Sequence, residues 1–200
     1  MDCVIFDLGG VVVRWDPVRI VEDFYDDAQL RETALREIFR HGDWIEMDRG
    51  MLHEADALRG FHRRMGRPLD EMQALMEAIK ESLQPIPQTI DLLHELREFG
   101  VPVYGLSNIS EPMAAHLRAR HEFWTLFSDI VVSGRIKLVK PDPAIFHYVA
   151  QRFELTPSRT MFIDDMPANV DSARRLGFIA HQFTDPLRCR SEVLTRLRRS

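Results

Sequence analysis

The run Cys3-Val4-Ile5-Phe6 carries no polar alternation, stops at Asp7 and breaks at Gly9-Gly10 before Val11-Val12-Val13. An unbroken apolar run of this length suits a central parallel strand covered on both faces. From about Asp16 to Pro85 the spacing becomes helical. Ile20, Val21 and Phe24 form one short face. Leu30, Ala34, Leu35 and Ile38 form a second, followed by Phe39 and a break at His41-Gly42. Leu52, Ala55, Leu58 and Phe61 form a third, and Met72, Leu75, Met76, Ile79 and Leu83 a fourth.

Beyond Pro87 helices and strands alternate. The pattern predicts helices over Thr89–Phe99, Glu111–Arg120, Pro143–Phe153, Ala168–Leu176 and Leu187–Arg198. It predicts strands over Val101–Leu106, within Phe127–Ser133, over Thr160–Ile163 and over Phe178–Phe183. Strands separated by helices of about ten residues imply a parallel sheet. The expected fold is therefore α/β, a Rossmann-like parallel sheet with helices on both faces. The all-helical stretch splits the first strand from the rest, so it reads as an insertion: a core of residues 1–15 and 86–200 and a small helical cap of residues 16–85. An insertion at the carboxyl end of a strand lands over the place where open α/β sheets bind ligands.

Composition narrows the setting. An apolar fraction of 45% and a charged fraction of 28% are those of an ordinary globular chain. A net charge of -5 offers no general affinity for nucleic acid or an anionic membrane. The basic run from Arg188 to Arg199 sits at the end of a helix, where cations complement the helix dipole. Two cysteines, Cys3 and Cys189, without motif spacing point to a reducing compartment. The chain opens almost directly into a core strand and holds no apolar run of the roughly 20 residues a membrane span needs. The expected location is the cytoplasm, as a monomer or homodimer.

Four strand ends or nearby loops carry polar groups: Asp7, Ser107-Asn108, Lys140 and Asp164-Asp165. Taken singly, Asp7 could cap a turn, Ser107-Asn108 could be a turn, and Lys140-Pro141 a solvated loop. Two adjacent carboxylates after Met161-Phe162-Ile163 need a cation or a partner. Together the groups form a chemically complete set for phosphoryl transfer. An Asp carboxylate such as Asp7 can form an aspartyl-phosphate. Mg²⁺ prefers oxygen ligands and keeps waters, and Asp7, the Gly9 carbonyl and Asp165 supply three oxygens. Ser107 and the Asn108 backbone can bond phosphate oxygens, and Lys140 offsets the converging charge.

These stretches resemble the motifs of the haloacid dehalogenase-like hydrolase superfamily, in its helical-capped branch. Phe6-Asp7-Leu8-Gly9-Gly10-Val11-Val12 resembles the first motif and Leu106-Ser107-Asn108 the second. Lys140-Pro141-Asp142-Pro143-Ala144-Ile145-Phe146 resembles the third, and Phe162-Ile163-Asp164-Asp165-Met166-Pro167-Ala168-Asn169 the fourth. The resemblance implies Asp7 as nucleophile and Ser107 and Lys140 as phosphate ligands. It further implies Asp165 as a direct Mg²⁺ ligand and Asp164 as a second ligand or one acting through water. The implied activity is hydrolysis of a small phosphorylated metabolite.

One position departs from that pattern. The family's phosphatases carry a second Asp two residues after the nucleophile as general acid and base, and here that residue is Gly9. Losing a general acid costs ~10²–10⁴-fold in rate, so a leaving group less basic than an ordinary alkoxide would suffer least. The anomeric oxygen of a sugar 1-phosphate is one. The sequence is also similar to a bacterial branch with Phe-Asp-Leu-Gly-Asn at this motif, which includes α-glucose-1-phosphate phosphatase-type members. Asp48-Arg49-Gly50 resembles that branch's Glu-Arg-Gly turn and makes Arg49 a candidate substrate contact. Two alternatives stay open: a metal-independent 2-haloacid dehalogenase, for which Asp164-Asp165 would be two uncompensated carboxylates, and a catalytically weak protein that binds a phosphorylated metabolite.

Overall fold

The computed structural model describes residues 1–198. Strands β1 (Cys3–Phe6), β2 (Val103–Ser107), β3 (Asp129–Val132), β4 (Thr160–Asp164) and β5 (Ile179–Gln182) pair in the order β3-β2-β1-β4-β5. Every pairing is parallel. All four residues of β1 are buried, as its lack of alternation requires of a central strand. Its side chains still divide by parity. Val4 and Phe6 pack with Leu92, Leu96, Leu117 and Val193 on one face, while Ile5 packs with Ile145, Phe146, Val149 and Phe162 on the other.

The chain leaves the sheet after β1 and makes five helices: α1 (Pro17–Phe24), α2 (Ala28–Ala34), α3 (Gly42–Asp48), α4 (Glu54–Met65) and α5 (Leu69–Ser82). It then returns through α6 (Pro87–Glu98). Outgoing and returning segments lie side by side: Arg14 N–H donates to Gln84 O at 2.8 Å, and Ile86 N–H donates to Val12 O at 2.8 Å. Asp16 and Asp27 cap α1 and α2, each accepting from the backbone three residues on. The apolar faces read from spacing become one core, since Ile20, Val21, Ile38, Phe61, Met72 and Ile79 join the same cluster as Val4 and Phe6. The remaining helices are α7 (Glu111–Arg120), α8 (Ser133–Ile136), α9 (Pro143–Arg152), α10 (Pro167–Arg175) and α11 (Pro186–Arg198).

The structure departs from the pattern in several places. The second strand starts at Val103 rather than Val101, because Pro102 has no N–H for the ladder; its carbonyl accepts from Val4 instead. After α2 the backbone tightens differently, into a π-helical turn over Leu35–Phe39. Helix α3 begins at the supposed His41-Gly42 break. The His41 ring accepts from Asp43 N–H at 3.1 Å and so acts as its cap. Cys3 and Cys189 are buried free thiols. No helix among the described residues is long and apolar enough to cross a membrane. In the basic terminal run, Arg190 pairs with Glu95 on α6, whereas Arg199 lies outside the described residues.

Candidate active site

Asp7 is the first residue beyond β1, and its N–H donates to Ile163 O at 2.9 Å, extending the ladder with β4 by one rung. The register pairing Phe6 with Ile163 and Gly105 sets Asp7 level with Asp164 and Leu106. Sheet pairing alone therefore brings the first, second and fourth polar stretches to one edge. Lys140 arrives from the loop before α9, placed by Asn108. The Asn108 side-chain amide donates to Lys140 O at 2.9 Å, and its carbonyl accepts from Lys140 N–H at 2.8 Å.

The Lys140 ammonium is buried and uses all three donors. It bonds Leu106 O at 2.9 Å, Asp164 Oδ2 at 2.7 Å and Asp7 Oδ1 at 2.9 Å. Asp7 Oδ1 also accepts from Leu8 N–H at 2.7 Å, and among the described residues neither contact falls on Oδ2. The Asp164 carboxylate is fully engaged as well. Beyond Lys140 it accepts from Met166 N–H at 2.9 Å and from the Asn169 amide at 2.9 and 3.1 Å. Asp164 thus orients Lys140, with Asn169 holding it in turn. The spacing to Asn169, five residues along and one helical turn into α10, signalled no role by itself.

Carboxylate oxygens of Asp7, Asp164 and Asp165 lie within 4.8 Å of one another. Three carboxylates against one buried ammonium leave negative charge in excess. Burial, then the neighbouring carboxylates, push Asp7 above the ordinary carboxylate range despite the Lys140 ammonium. Burial would lower the Lys140 ammonium, but Asp7 and Asp164 hold it above its usual value. Burial followed by Asp164 also raises Asp165. This all-oxygen, over-negative cluster suits a hard divalent cation.

Asp7 and Asp165 of this cluster lie at the floor of a cavity of about 270 Å³, with Asp164 buried behind them. Asp7, Gly9, Ser107, Asn108, Lys140 and Asp165 line that floor, while Trp15, Phe39, Trp44, Met76, Met113 and Leu117 make the walls. Phe39 stacks on Trp44 with centroids 5.1 Å apart, and Trp15 lies 5.5 Å from Trp44. Arg49 is placed elsewhere: its guanidinium turns back along α3 to Glu46 at 3.2 Å, and it is not among the lining residues. The turn contributes its neighbour Asp48 instead.

A family model for the haloacid dehalogenase-like hydrolases matches residues 1–177. The chain belongs to that family. It is 31% identical over 183 residues to a sesquiterpene phosphatase of Aspergillus oryzae, covering 92% of this chain and 90% of that protein. It is 28% identical over 195 residues to a D-ribitol-5-phosphate phosphatase of Bacteroides thetaiotaomicron, covering 90% of each. Among solved structures, a family enzyme of Bacteroides thetaiotaomicron in complex with magnesium and inorganic phosphate superposes with a TM-score of 0.74. The two are 25% identical, over 92% of this chain and 94% of that one.

Proposed function

We propose that this hydrolase is a Mg²⁺-dependent phosphatase that cleaves the phosphate monoester of a small, largely apolar alcohol through an aspartyl-phosphate on Asp7. The observation that carries the reading is the over-negative Asp7–Asp164–Asp165 cluster around one buried lysine at the floor of an apolar-walled cavity. The phosphatase relatives support the reaction, and the sesquiterpene phosphatase supports an apolar substrate. The sugar phosphate expected from the leaving-group argument suits these walls less well. For a metal-independent dehalogenase the cluster's surplus negative charge would serve no purpose.

Asp7, Asp165 and the Gly9 carbonyl would hold Mg²⁺, with Asp164 behind them on Lys140 and Asn169. Bound there, the cation would neutralise phosphate oxygens as charge builds on them. Leu8 N–H and Lys140 fix Oδ1 of Asp7, so Oδ2 attacks phosphorus as the ester oxygen leaves. Water then cleaves the acyl phosphate, releasing inorganic phosphate and restoring the carboxylate. Ser107 and the Asn108 backbone would bond the phosphoryl oxygens, and the helices between β1 and α6 would act as the cap. Phosphate release from p-nitrophenyl phosphate should stop with EDTA and resume with added Mg²⁺. Asp7→Asn should lower it by ~10³-fold or more. Substantial turnover by that variant would overturn the nucleophile assignment, and tight phosphate binding without turnover would favour a binding protein.

A further inference from the structure

With Gly9 in place of the usual carboxyl, the site needs another proton donor for the leaving alcohol. Asp48, the last residue of α3, lines the cavity above the Asp7 cluster. Its carboxyl is near enough to the Ser110 backbone and the Trp44 side chain for both to favour its charged form, which places it between the core and the aromatic wall. Its backbone is latched as well: Ser133 Oγ donates to Asp48 O at 2.5 Å, while the same hydroxyl accepts from Ile109 N–H at 2.8 Å. Two residues on, Gly50 has φ +73° and lies so close to Gly134 that a Cβ would sit 2.2 Å from its carbonyl oxygen. The turn is therefore pressed onto α8 by backbone contact, and the Asp48 side chain is held between wall and floor.

We propose, building on the phosphatase reading, that Asp48 is the general acid and base of the reaction. As Oδ2 of Asp7 bonds phosphorus and the phosphorus–oxygen ester bond breaks, the Asp48 carboxyl gives its proton to the departing alkoxide. The resulting Asp48 carboxylate then takes a proton from the water that attacks the aspartyl-phosphate. Phosphate leaves, and Asp48 is again protonated for the next substrate. Burial, with the Asp7 charge adding to it, holds the Asp48 carboxyl well above the ordinary carboxylate range; Ser110, Trp44 and Lys140 oppose this without reversing it. A protonated carboxyl in the resting enzyme is what this role requires.

The test compares two esters on one preparation, which makes the ratio independent of the fraction of active protein. Asp48→Asn keeps the side-chain shape and an acceptor for Trp44 and Ser110. It should lower kcat for an alkyl phosphate by ~10²–10⁴-fold, and for 2,4-dinitrophenyl phosphate, whose leaving group needs no proton, by less than about ten-fold. Gly9 offers an internal rescue. Its φ lies outside the left-handed region, and a Cβ there would come no nearer than 3.6 Å to Trp15. The double variant Asp48→Asn with Gly9→Asp should recover at least about ten-fold on the alkyl ester. Equal loss on both esters, or no loss on either, overturns the Asp48 assignment and leaves the phosphatase reading standing. No turnover of either ester by the unmodified protein overturns both.

Discussion

At the scale of single residues, the two glycines that follow Asp7 and Leu8 have opposite reasons to be there. Gly10 has φ +77°, and a Cβ would fall 2.6 Å from Asp165 Oδ2. It is glycine because the loop passes directly beneath the Asp165 carboxylate. Gly9 is under no such constraint, so its identity is a matter of chemistry rather than fold. Gly9→Ala should therefore change stability by no more than ~0.5 kcal/mol. Gly10→Ala meets both a left-handed backbone and a short contact, and should cost ~1–3 kcal/mol. It should also weaken Mg²⁺ binding by displacing Asp165. Thermal melts and Mg²⁺ titration of the two variants check this, and equal effects would show the turn to be looser than described. In the sequence the glycines are indistinguishable, since nothing local says which one faces residue 165. The polar ends of β1, β2 and β4 were legible because parallel pairing leaves them no other edge. Lys140 was legible as a charge but not as the hub it is, because its three acceptors come from residues 7, 106 and 164.

At the scale of elements, the decisive piece is the seven-residue helix α3 and the turn that follows it. The faces of α1, α4 and α5 were readable because each supplies two or more buried positions, although Ala55 of the third face is exposed. In α3 only Met47 is fully buried, and the helix opens on His41-Gly42, which reads as a break. Short length and a histidine cap hid the element that delivers Trp44 and Asp48 to the cavity. Asp48-Arg49-Gly50 was readable as a turn, but not which of its side chains faces the cavity: Asp48 lines it, while Arg49 pairs with Glu46. The turn is held by backbone contact at Gly50, so Gly50→Ala must lift it from Gly134 or distort α8. The expected result is a fall in kcat on an alkyl phosphate, with Mg²⁺ affinity unchanged because Asp7 and Asp165 follow directly on β1 and β4, away from this turn. A Gly50→Ala enzyme with wild-type kcat would show that the turn need not stay docked for catalysis.

At the scale of the whole molecule, under the proposed function the sheet edge sets the reaction and the helical block sets the substrate. Five polar residues line the floor, whereas the walls are mainly aromatic rings, methionines and leucine with Asp48, Glu54 and Ser110 among them. Each methylene moved from water to such a wall contributes ~0.8 kcal/mol, about four-fold in affinity. A sugar hydroxyl buried there without a partner costs ~1–3 kcal/mol. These opposing increments predict a rising series: kcat/KM for linear alkyl phosphates should climb about two- to four-fold per methylene until the chain fills the cavity. Prenyl phosphates of similar size should follow the same trend. Hexose 1- and 6-phosphates should fall at least ~10²-fold below the best alkyl or prenyl ester, because several hydroxyls would meet apolar walls at once. If Asp48 supplies the proton as proposed, no unusually acidic leaving group is needed, and simple alkyl phosphates should be turned over. A flat series across chain lengths, with hexose 1-phosphate preferred, would overturn the apolar assignment. It would place specificity instead on the few polar wall groups, Glu54 and Ser110 among them.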